Sequence, residues 1–261
     1  MKEKKTVILV VSFGTSYADS IKSSIEAIEN NVKKAFPSYE VRRAFTSSKI
    51  LRKLKKRDGI IIDNVKEALE RLLSEGCERV VVQPTYVIKG IEYDLLENDV
   101  RAYEDKFSSL SLGEPILCRE EDYIYCADAV CEKVKAEGEK TDTAVVFMGH
   151  GTDHPENSAY IKLGQTFLDL GLENYFVGTV EAEPDIFDIK RKLEEKGIKN
   201  VFLLPFMIVA GDHARNDMAG DDDSWKSILE NAGFNVKCFL SGLGENEEIR
   251  KIILKKIEKQ L

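Results

Sequence analysis

The sequence predicts an α/β fold that consists of two similar halves, each built around a doubly wound parallel sheet. Short apolar runs rich in Val, Ile and Leu alternate along the chain with amphipathic stretches of about 12 to 20 residues. The apolar runs do not alternate with polar residues, as expected for strands that helices cover on both faces. Strands that alternate with helices in this way form parallel sheets with right-handed crossovers.

Each predicted strand is a run rich in Val, Ile or Leu, and each predicted helix is an amphipathic stretch beside such a run. The strands are expected at 6–12, 39–45, 79–83, 110–118, 143–149, 174–180, 199–206 and 234–240. The helices are expected at 17–35, 63–75, 92–106, 122–137, 155–170, 185–196, 223–232 and 245–260.

Two sequence blocks recur in the same order and indicate an internal duplication. The first is a strand that ends in Gly-Thr, at 7–15 and again at 144–152, an offset of 137 residues. The second is a strand that ends in proline with a glycine six residues later, at 80–90 and 201–211, an offset of 121 residues. Strand-plus-glycine units are common in α/β proteins, but matched proline and glycine spacing favours a true duplication.

The duplication predicts two domains, 1–125 and 126–261, with a cleft between them. The polar segment near 125–142 is the expected connection. The amphipathic helix at 245–260 could pack on either half, and the sequence leaves this open. A chain of 261 residues is long enough for each half to bury its own core.

Composition excludes several classes of protein. A net charge of −8 argues against non-specific binding to nucleic acid or to an anionic membrane. The five cysteines include no Cys-x-x-Cys pair, which argues against a disulfide framework or a structural zinc site and fits a reducing cytoplasm. No apolar run approaches the roughly 20 residues that span a bilayer, and the first one is too short for a signal peptide. We therefore expect a cytoplasmic protein.

The two halves differ in chemistry just beyond the ends of their predicted strands, where ligands bind in open α/β sheets. The second half carries His150, Glu181 and His213 where the first carries Phe13, Thr46 (within one residue) and Glu92. Two imidazoles and a carboxylate suit a divalent first-row metal with open coordination positions. The alternative for the histidines is that they make ordinary hydrogen bonds. The alternative for Glu92 is that an acidic residue is favourable in the first turn of a helix, beside the helix dipole.

Two glycine-containing turns and one basic run complete the candidate features. The turns at 12–16 and 149–153 join a strand to a helix and could bind an anion. Neither matches a nucleotide-binding motif, so no nucleotide cofactor is expected. The run 49–57, preceded by Arg42 and Arg43, is either a solvated helix face or a patch that binds a ligand with several carboxylates.

Six motifs together resemble the anaerobic cobalt chelatase family over residue 5 to the C-terminus. They are Ser-Phe-Gly-Thr-Ser at 12–16, Arg-Ala-Phe-Thr-Ser at 43–47, Lys-Lys-Arg-Asp-Gly at 55–59, Phe-Met-Gly-His-Gly at 147–151, Val-Ala-Gly-Asp-His at 209–213 with Asn-Asp-Met at 216–218, and Leu-Ser-Gly-Leu-Gly-Glu-Asn at 240–246. These lyases insert cobalt into sirohydrochlorin in cobalamin synthesis and are relatives of the ferrochelatases. The resemblance implies flavodoxin-like, chelatase-like halves.

The resemblance also implies roles for individual residues. The metal ligands would be His150, Glu181 and His213, with Glu183 as the rival carboxylate, and the catalytic residues His150, His213 and Glu92. The expected substrate contacts are Ser12, Phe13, Thr15, Arg43, Arg52 and Lys53.

The implied partners are a tetrapyrrole with eight carboxylates and a divalent metal ion, both as substrates. Cobalt is the expected metal, and no organic cofactor is expected. Alternatives are an iron or nickel chelatase, a non-catalytic tetrapyrrole or metal carrier, and a metal-dependent hydrolase. Family members are often oligomers, and the sequence leaves the oligomeric state open.

Overall fold

A computed structural model describes residues 6–135 and 140–261 and contains two four-stranded parallel sheets. The first sheet has the order β2-β1-β3-β4, and the second has the order β6-β5-β7-β8. The α/β class and the duplicated topology predicted from the sequence are thereby confirmed. The strands are β1 (Thr6–Ser12), β2 (Glu40–Phe45), β3 (Arg79–Pro84), β4 (Ser109–Leu112), β5 (Thr143–Gly149), β6 (Tyr175–Thr179), β7 (Asn200–Pro205) and β8 (Asn235–Cys238).

Helices connect the strands. The α-helices within the described ranges are Ala18–Ser20, Glu26–Ala35, Ser48–Asp58, Val65–Ser74, Ile91–Arg101, Glu120–Glu132, Ser158–Asp169, Ile186–Glu195, Trp225–Asn231 and Glu247–Glu258. Ile21–Ile25 and Ala214–Met218 are π-helical, and Glu104–Lys106, Pro155–Asn157 and Leu243–Glu245 are 3-10 turns. None of these helices is both long enough and apolar enough to cross a membrane.

Two elements differ from the prediction. The helix Ser48–Asp58 is missing from the predicted set, although its basic run indicated a possible helix face; only Leu54 of its side chains is buried. The predicted strand 110–118 ends at Leu112, and the buried residues that follow it belong to a loop. Residues 136 and 137 of the predicted helix 122–137 lie outside the described residues.

Strand register confirms both offsets of the internal repeat. In the first sheet Val7 pairs with Val80, and in the second Ala144 pairs with Val201. The two prolines follow the same rule, since Pro84 pairs with Val11 and Pro205 with Met148. The same central pair of strands therefore occurs in both sheets.

Contacts between Cα atoms divide the chain into two compact units. The first unit combines the chain up to Cys118 with the C-terminal segment Arg250–Leu261. The second unit is Arg119–Ile249. Within the first unit, Gln260 Nε2 donates to Gln83 Oε1 at 3.1 Å, which joins the C-terminal segment to β3. The domain boundary at 125–126 stays a prediction.

The turn after β5 needs a glycine at position 151 for two reasons. Gly151 has φ of +85°, a backbone conformation that other residues adopt only with strain. A Cβ there would also lie 2.8 Å from Thr179 Oγ1 and 2.9 Å from the backbone nitrogen of Ala182. The absence of a side chain therefore lets the turn after β5 contact the loop after β6.

We predict that Gly151→Ala lowers the free energy of unfolding by about 2–4 kcal/mol, from backbone strain plus overpacking. The matched control is Gly164→Ala in the helix Ser158–Asp169, where a Cβ meets nothing within 4 Å. That change should instead raise the free energy of unfolding by about 0.5–1 kcal/mol. Urea denaturation measures both, and similar small effects at the two positions would contradict the prediction.

Candidate metal centre

Three side chains that follow neighbouring strands meet at the carboxyl edge of the second sheet. His150 follows β5, Glu181 follows β6 and His213 lies beyond β7. One ligand atom of each side chain lies within 4.8 Å of the others. The imidazole ring centroids of the two histidines are 4.6 Å apart, with the rings nearly perpendicular at 84°.

Hydrogen bonds orient His150 toward this group. Its Nδ1 lies 2.8 Å from the carbonyl oxygen of Gly151 and 3.6 Å from Oε2 of Glu181. Both oxygens accept hydrogen bonds, so these contacts favour a proton on Nδ1 and a lone pair on Nε2. The backbone nitrogen of Glu181 donates to the His150 carbonyl at 2.9 Å. One glycine-containing turn thus positions both candidate ligands.

Tyr160 lies beneath the same turn. Its side chain is 3% exposed, and a Cβ on Gly149 would lie 2.4 Å from its ring. Burial raises the pKa of Tyr160 to about 12, although hydrogen bonds from the backbone of Gly151 and His150 to its hydroxyl group lower it. Tyr160 is therefore neutral at physiological pH and supports the turn by packing and hydrogen bonding.

His213 precedes the π-helical turn Ala214–Met218. Its Nδ1 lies 2.7 Å from Oδ2 of Asp217, within that turn. The backbone nitrogen of Gly220 donates to the Asn216 carbonyl at 3.0 Å and closes the turn. π-Helical turns are rare and often occur at functional sites.

The carboxylate in the group is that of Glu181. The segment after β6 forms bends rather than continuing the strand, so alternation along a strand does not place Glu181 and Glu183 on one face. Among the described residues, the metal-capable group contains Glu181 and not Glu183. The Glu183 carbonyl instead accepts a hydrogen bond of 2.7 Å from Asn157 Nδ2.

The three candidate ligands are accessible to solvent. The exposed fractions of the side chains are 46% for His150, 54% for Glu181 and 34% for His213. A closed structural metal site would bury its ligands and use four of them, whereas three accessible ligands leave coordination positions open. The group can therefore bind a divalent ion and still exchange it with another ligand.

The first sheet shows which residues replace this group. The backbone nitrogen of Ser47 donates to the Phe13 carbonyl at 3.2 Å, as that of Glu181 does to the His150 carbonyl. Ser47 is thus the counterpart of Glu181, one residue beyond the Thr46 that the sequence alignment suggested. Ser47 caps the helix Ser48–Asp58, and the Thr46 hydroxyl lies 2.9 Å from that of Tyr86.

Glu92 is the counterpart of His213 by the offset of 121 residues. It is half-buried and lies in the first turn of the helix Ile91–Arg101. An acidic residue in a first turn is favoured by the helix dipole. Its catalytic role stays a prediction.

Of the predicted substrate contacts near β1, one is accessible. Ser12 and Thr15 are each 3% exposed, and their hydroxyl groups accept hydrogen bonds from Thr85 and from the backbone of Tyr17. Phe13 is 46% exposed although it is a large apolar residue. Only Phe13 of these three therefore presents its side chain to a ligand.

The three cationic residues predicted to contact the substrate differ in their contacts within the protein. Arg43 makes a bidentate ion pair with Glu29, at 2.6 and 2.7 Å, so its guanidinium group has an internal partner. Arg52 and Lys53 are exposed on the helix Ser48–Asp58. Arg52 Nε donates to the Ser48 carbonyl at 3.2 Å, and the Lys53 ammonium lies 5.8 Å from the ring centroid of Tyr17.

Sequence reasoning missed Tyr160 and Asp217. The spacing of four residues between His213 and Asp217 was a usable signal, because side chains four apart on a helix are neighbours. Tyr160 carried no such signal, since only folding brings it under the turn after β5.

Curated proteins resemble this chain over nearly its whole length. A sirohydrochlorin cobaltochelatase from Salmonella typhimurium is 39% identical over 258 residues, covering 98% of this chain and 97% of that protein. The sirohydrochlorin cobaltochelatase CbiKC from Nitratidesulfovibrio vulgaris is 36% identical over 250 residues, covering 93% of this chain and 86% of that protein.

Solved structures share the fold. SirB from Bacillus subtilis with Fe³⁺ matches with a TM-score of 0.69 and 18% identity, over 98% of this chain and 95% of that one. CbiX, described as the terminal enzyme for biosynthesis of siroheme in denitrifying bacteria, matches with a TM-score of 0.62 and 16% identity, over 98% and 99%. The family model described as Cobalt chelatase (CbiK) matches residues 6–261, which confirms the resemblance read from the motifs. The chain belongs to the cobalt chelatase (CbiK) family.

Proposed function

We propose that this protein is a sirohydrochlorin cobaltochelatase, which inserts Co(II) into sirohydrochlorin with release of two protons in anaerobic cobalamin synthesis. The observation that carries the proposal is the group of His150, Glu181 and His213, whose ligand atoms lie within 4.8 Å of one another. Family membership and two similar proteins that bear this name support it. The cytoplasmic location and the oligomeric state stay predictions.

Co(II) is a substrate in this proposal, so the site must bind it and then release it. Two imidazole nitrogens and one carboxylate oxygen are suitable ligands for a first-row ion. Their exposure leaves coordination positions for the nitrogens of the tetrapyrrole, which take over the ion stepwise. Such a ligand set does not by itself select cobalt over copper or zinc, so metal supply contributes to the choice.

Metal insertion also requires a proton acceptor. One Co²⁺ replaces two pyrrole N–H protons, so the macrocycle loses two protons as it gains the ion. An imidazole that releases the metal regains a free lone pair and can accept one of these protons. We assign this role to His150 or His213, and the resemblance implies Glu92 as a further acceptor.

The carboxylates of the tetrapyrrole need cationic partners on a protein with a net charge of −8. The helix Ser48–Asp58 provides an exposed basic face, and we assign the contacts to its Arg52 and Lys53. The exposed ring of Phe13 suits the apolar face of the macrocycle. Arg43 is assigned a structural role instead, because Glu29 already holds its guanidinium group.

We predict that His213→Ala lowers kcat/KM for cobalt insertion by about 100-fold or more. Mutation of a residue that merely supports a metal ligand lowers metal affinity or activity about 10–100-fold. Loss of the ligand itself should therefore lower activity by at least about 100-fold. The matched control is His154→Ala, because His154 caps the 3-10 turn Pro155–Asn157 and is not in the metal-capable group. Absorbance of the cobalt product measures the rate, and a parent-like rate for His213→Ala would contradict the assignment.

The same assay separates an enzyme from a carrier. With Co(II) and sirohydrochlorin in excess, a chelatase forms many equivalents of product per protein, whereas a carrier stops at one. Parallel reactions with Fe(II) and Ni(II) test whether another ion is inserted faster than cobalt. A faster reaction with either ion would replace cobalt in the proposal.

We predict that replacing Arg52 and Lys53 together by Gln raises KM for sirohydrochlorin about 5- to 30-fold. Each exposed contact between a cation and a carboxylate contributes roughly 0.5–1 kcal/mol, so two of them account for this range. The control is Lys55 and Lys56 replaced by Gln, which removes the same charge from the same helix. Equal effects in the two variants would indicate long-range attraction rather than contact.

We predict that Arg43→Met lowers the free energy of unfolding by about 2–4 kcal/mol, because it leaves the Glu29 carboxylate, whose side chain is 7% exposed, without its bidentate partner. KM for sirohydrochlorin should change less than twofold. Thermal denaturation and steady-state kinetics measure the two effects. A raised KM with unchanged stability would return Arg43 to the substrate contacts.

A further inference from the structure

His150 and His213 have hydrogen-bond partners of different kinds. Nδ1 of His150 contacts the carbonyl oxygen of Gly151 at 2.8 Å, and Nδ1 of His213 contacts Oδ2 of Asp217 at 2.7 Å. Carbonyl and carboxylate oxygens accept hydrogen bonds, so both contacts favour a proton on Nδ1 and a lone pair on Nε2. A carboxylate is the stronger acceptor of the two because the bond is charge-assisted.

The hydrogen bond between His213 and Asp217 is a more important restraint than the one between His150 and Gly151. The turn at His150 is fixed by the glycine at 151 and by the buried Tyr160. His213 directly precedes a five-residue π-helical turn, and the Asp217 carboxylate that contacts its ring belongs to that turn. The Asp217 hydrogen bond therefore favours one tautomer of this ring and restrains its orientation.

We propose that Asp217 is a positioning residue, which holds the Nδ1–H of His213 and so presents Nε2 to Co(II). This inference rests on the proposed function of His213 as a metal ligand. A carboxylate that supports a metal-binding histidine fixes its tautomer and ring orientation, and its loss typically costs 10–100-fold in metal affinity or activity. Asp217 itself touches neither the metal nor the tetrapyrrole in this scheme.

An ordinary helix-stabilising pair between residues four apart is the competing explanation. Such a pair contributes little, and an amide of the same size can replace the carboxylate in it. The positioning role is stricter, because an Asn side chain can donate to Nδ1 and shift the ring proton to Nε2, the atom that the metal needs. Asp217→Asn thus preserves the pair but alters the tautomer.

The test compares Asp217→Ala, Asp217→Asn and Asp217→Glu with Asp221→Asn. Asp221 is an exposed acid in the segment that follows, so its variant removes one nearby charge. Long-range ¹H–¹⁵N NMR spectra of the metal-free protein report the tautomer of His213, and Co(II) titration followed by d–d absorbance gives Kd. Steady-state chelatase kinetics give KM for Co(II) and for sirohydrochlorin.

We expect Asp217→Ala and Asp217→Asn to lose the Nδ1–H tautomer, to weaken Co(II) binding about 10- to 100-fold, and to raise KM for Co(II) with little change in KM for sirohydrochlorin. Asp217→Glu should recover most of the affinity, and Asp221→Asn should match the parent. The proposal is overturned if the Ala and Asn variants keep the tautomer and bind Co(II) within twofold of the parent. Absence of cobalt insertion in the parent would instead overturn the proposed function, because tautomer and Kd are measured without turnover.

Discussion

The hydrogen-bonded order of three parallel strands is the constraint on which the candidate metal centre depends. β5 lies between β6 and β7, so the residues that follow all three strands emerge side by side at one edge of the sheet. Each flanking strand lies about 4.8 Å from β5, so the segments that follow the three strands start close together and bring ligand atoms of His150, Glu181 and His213 within 4.8 Å of one another. The turns after these strands therefore bring together residues more than 60 positions apart in the sequence.

The two halves have kept the same topology and have diverged in chemistry. Both central strand pairs share one register, including the proline that ends β3 and β7. In the first sheet the positions of His150 and Glu181 are taken by an exposed aromatic ring, Phe13, and by a serine that caps a basic helix. The duplication thus gives the second sheet three candidate metal ligands and gives the first sheet an exposed aromatic ring and a basic helix at the equivalent positions.

Residues around the candidate ligands explain how an exposed metal centre keeps its geometry. Gly151 allows two loops to touch, and Tyr160 packs under the turn that carries His150. Asp217 supplies the corresponding restraint for His213 through a single hydrogen bond. Restraint from behind the ligands leaves their outward atoms free, which suits an ion that must enter and leave.

The sequence by itself predicted the α/β class, the duplication and the three candidate ligands, because apolar runs mark buried strands and strand ends mark the ligand-binding edge. The predicted helices left out Ser48–Asp58, in which charged residues outnumber apolar ones and only Leu54 is buried. The choice of Ser47 over Thr46 as the counterpart of Glu181 required backbone hydrogen bonds, since a shift of one residue is invisible in an alignment of short motifs. The partners of Arg43 and Tyr160 were decided by tertiary structure alone, because packing brings together groups that no sequence spacing connects.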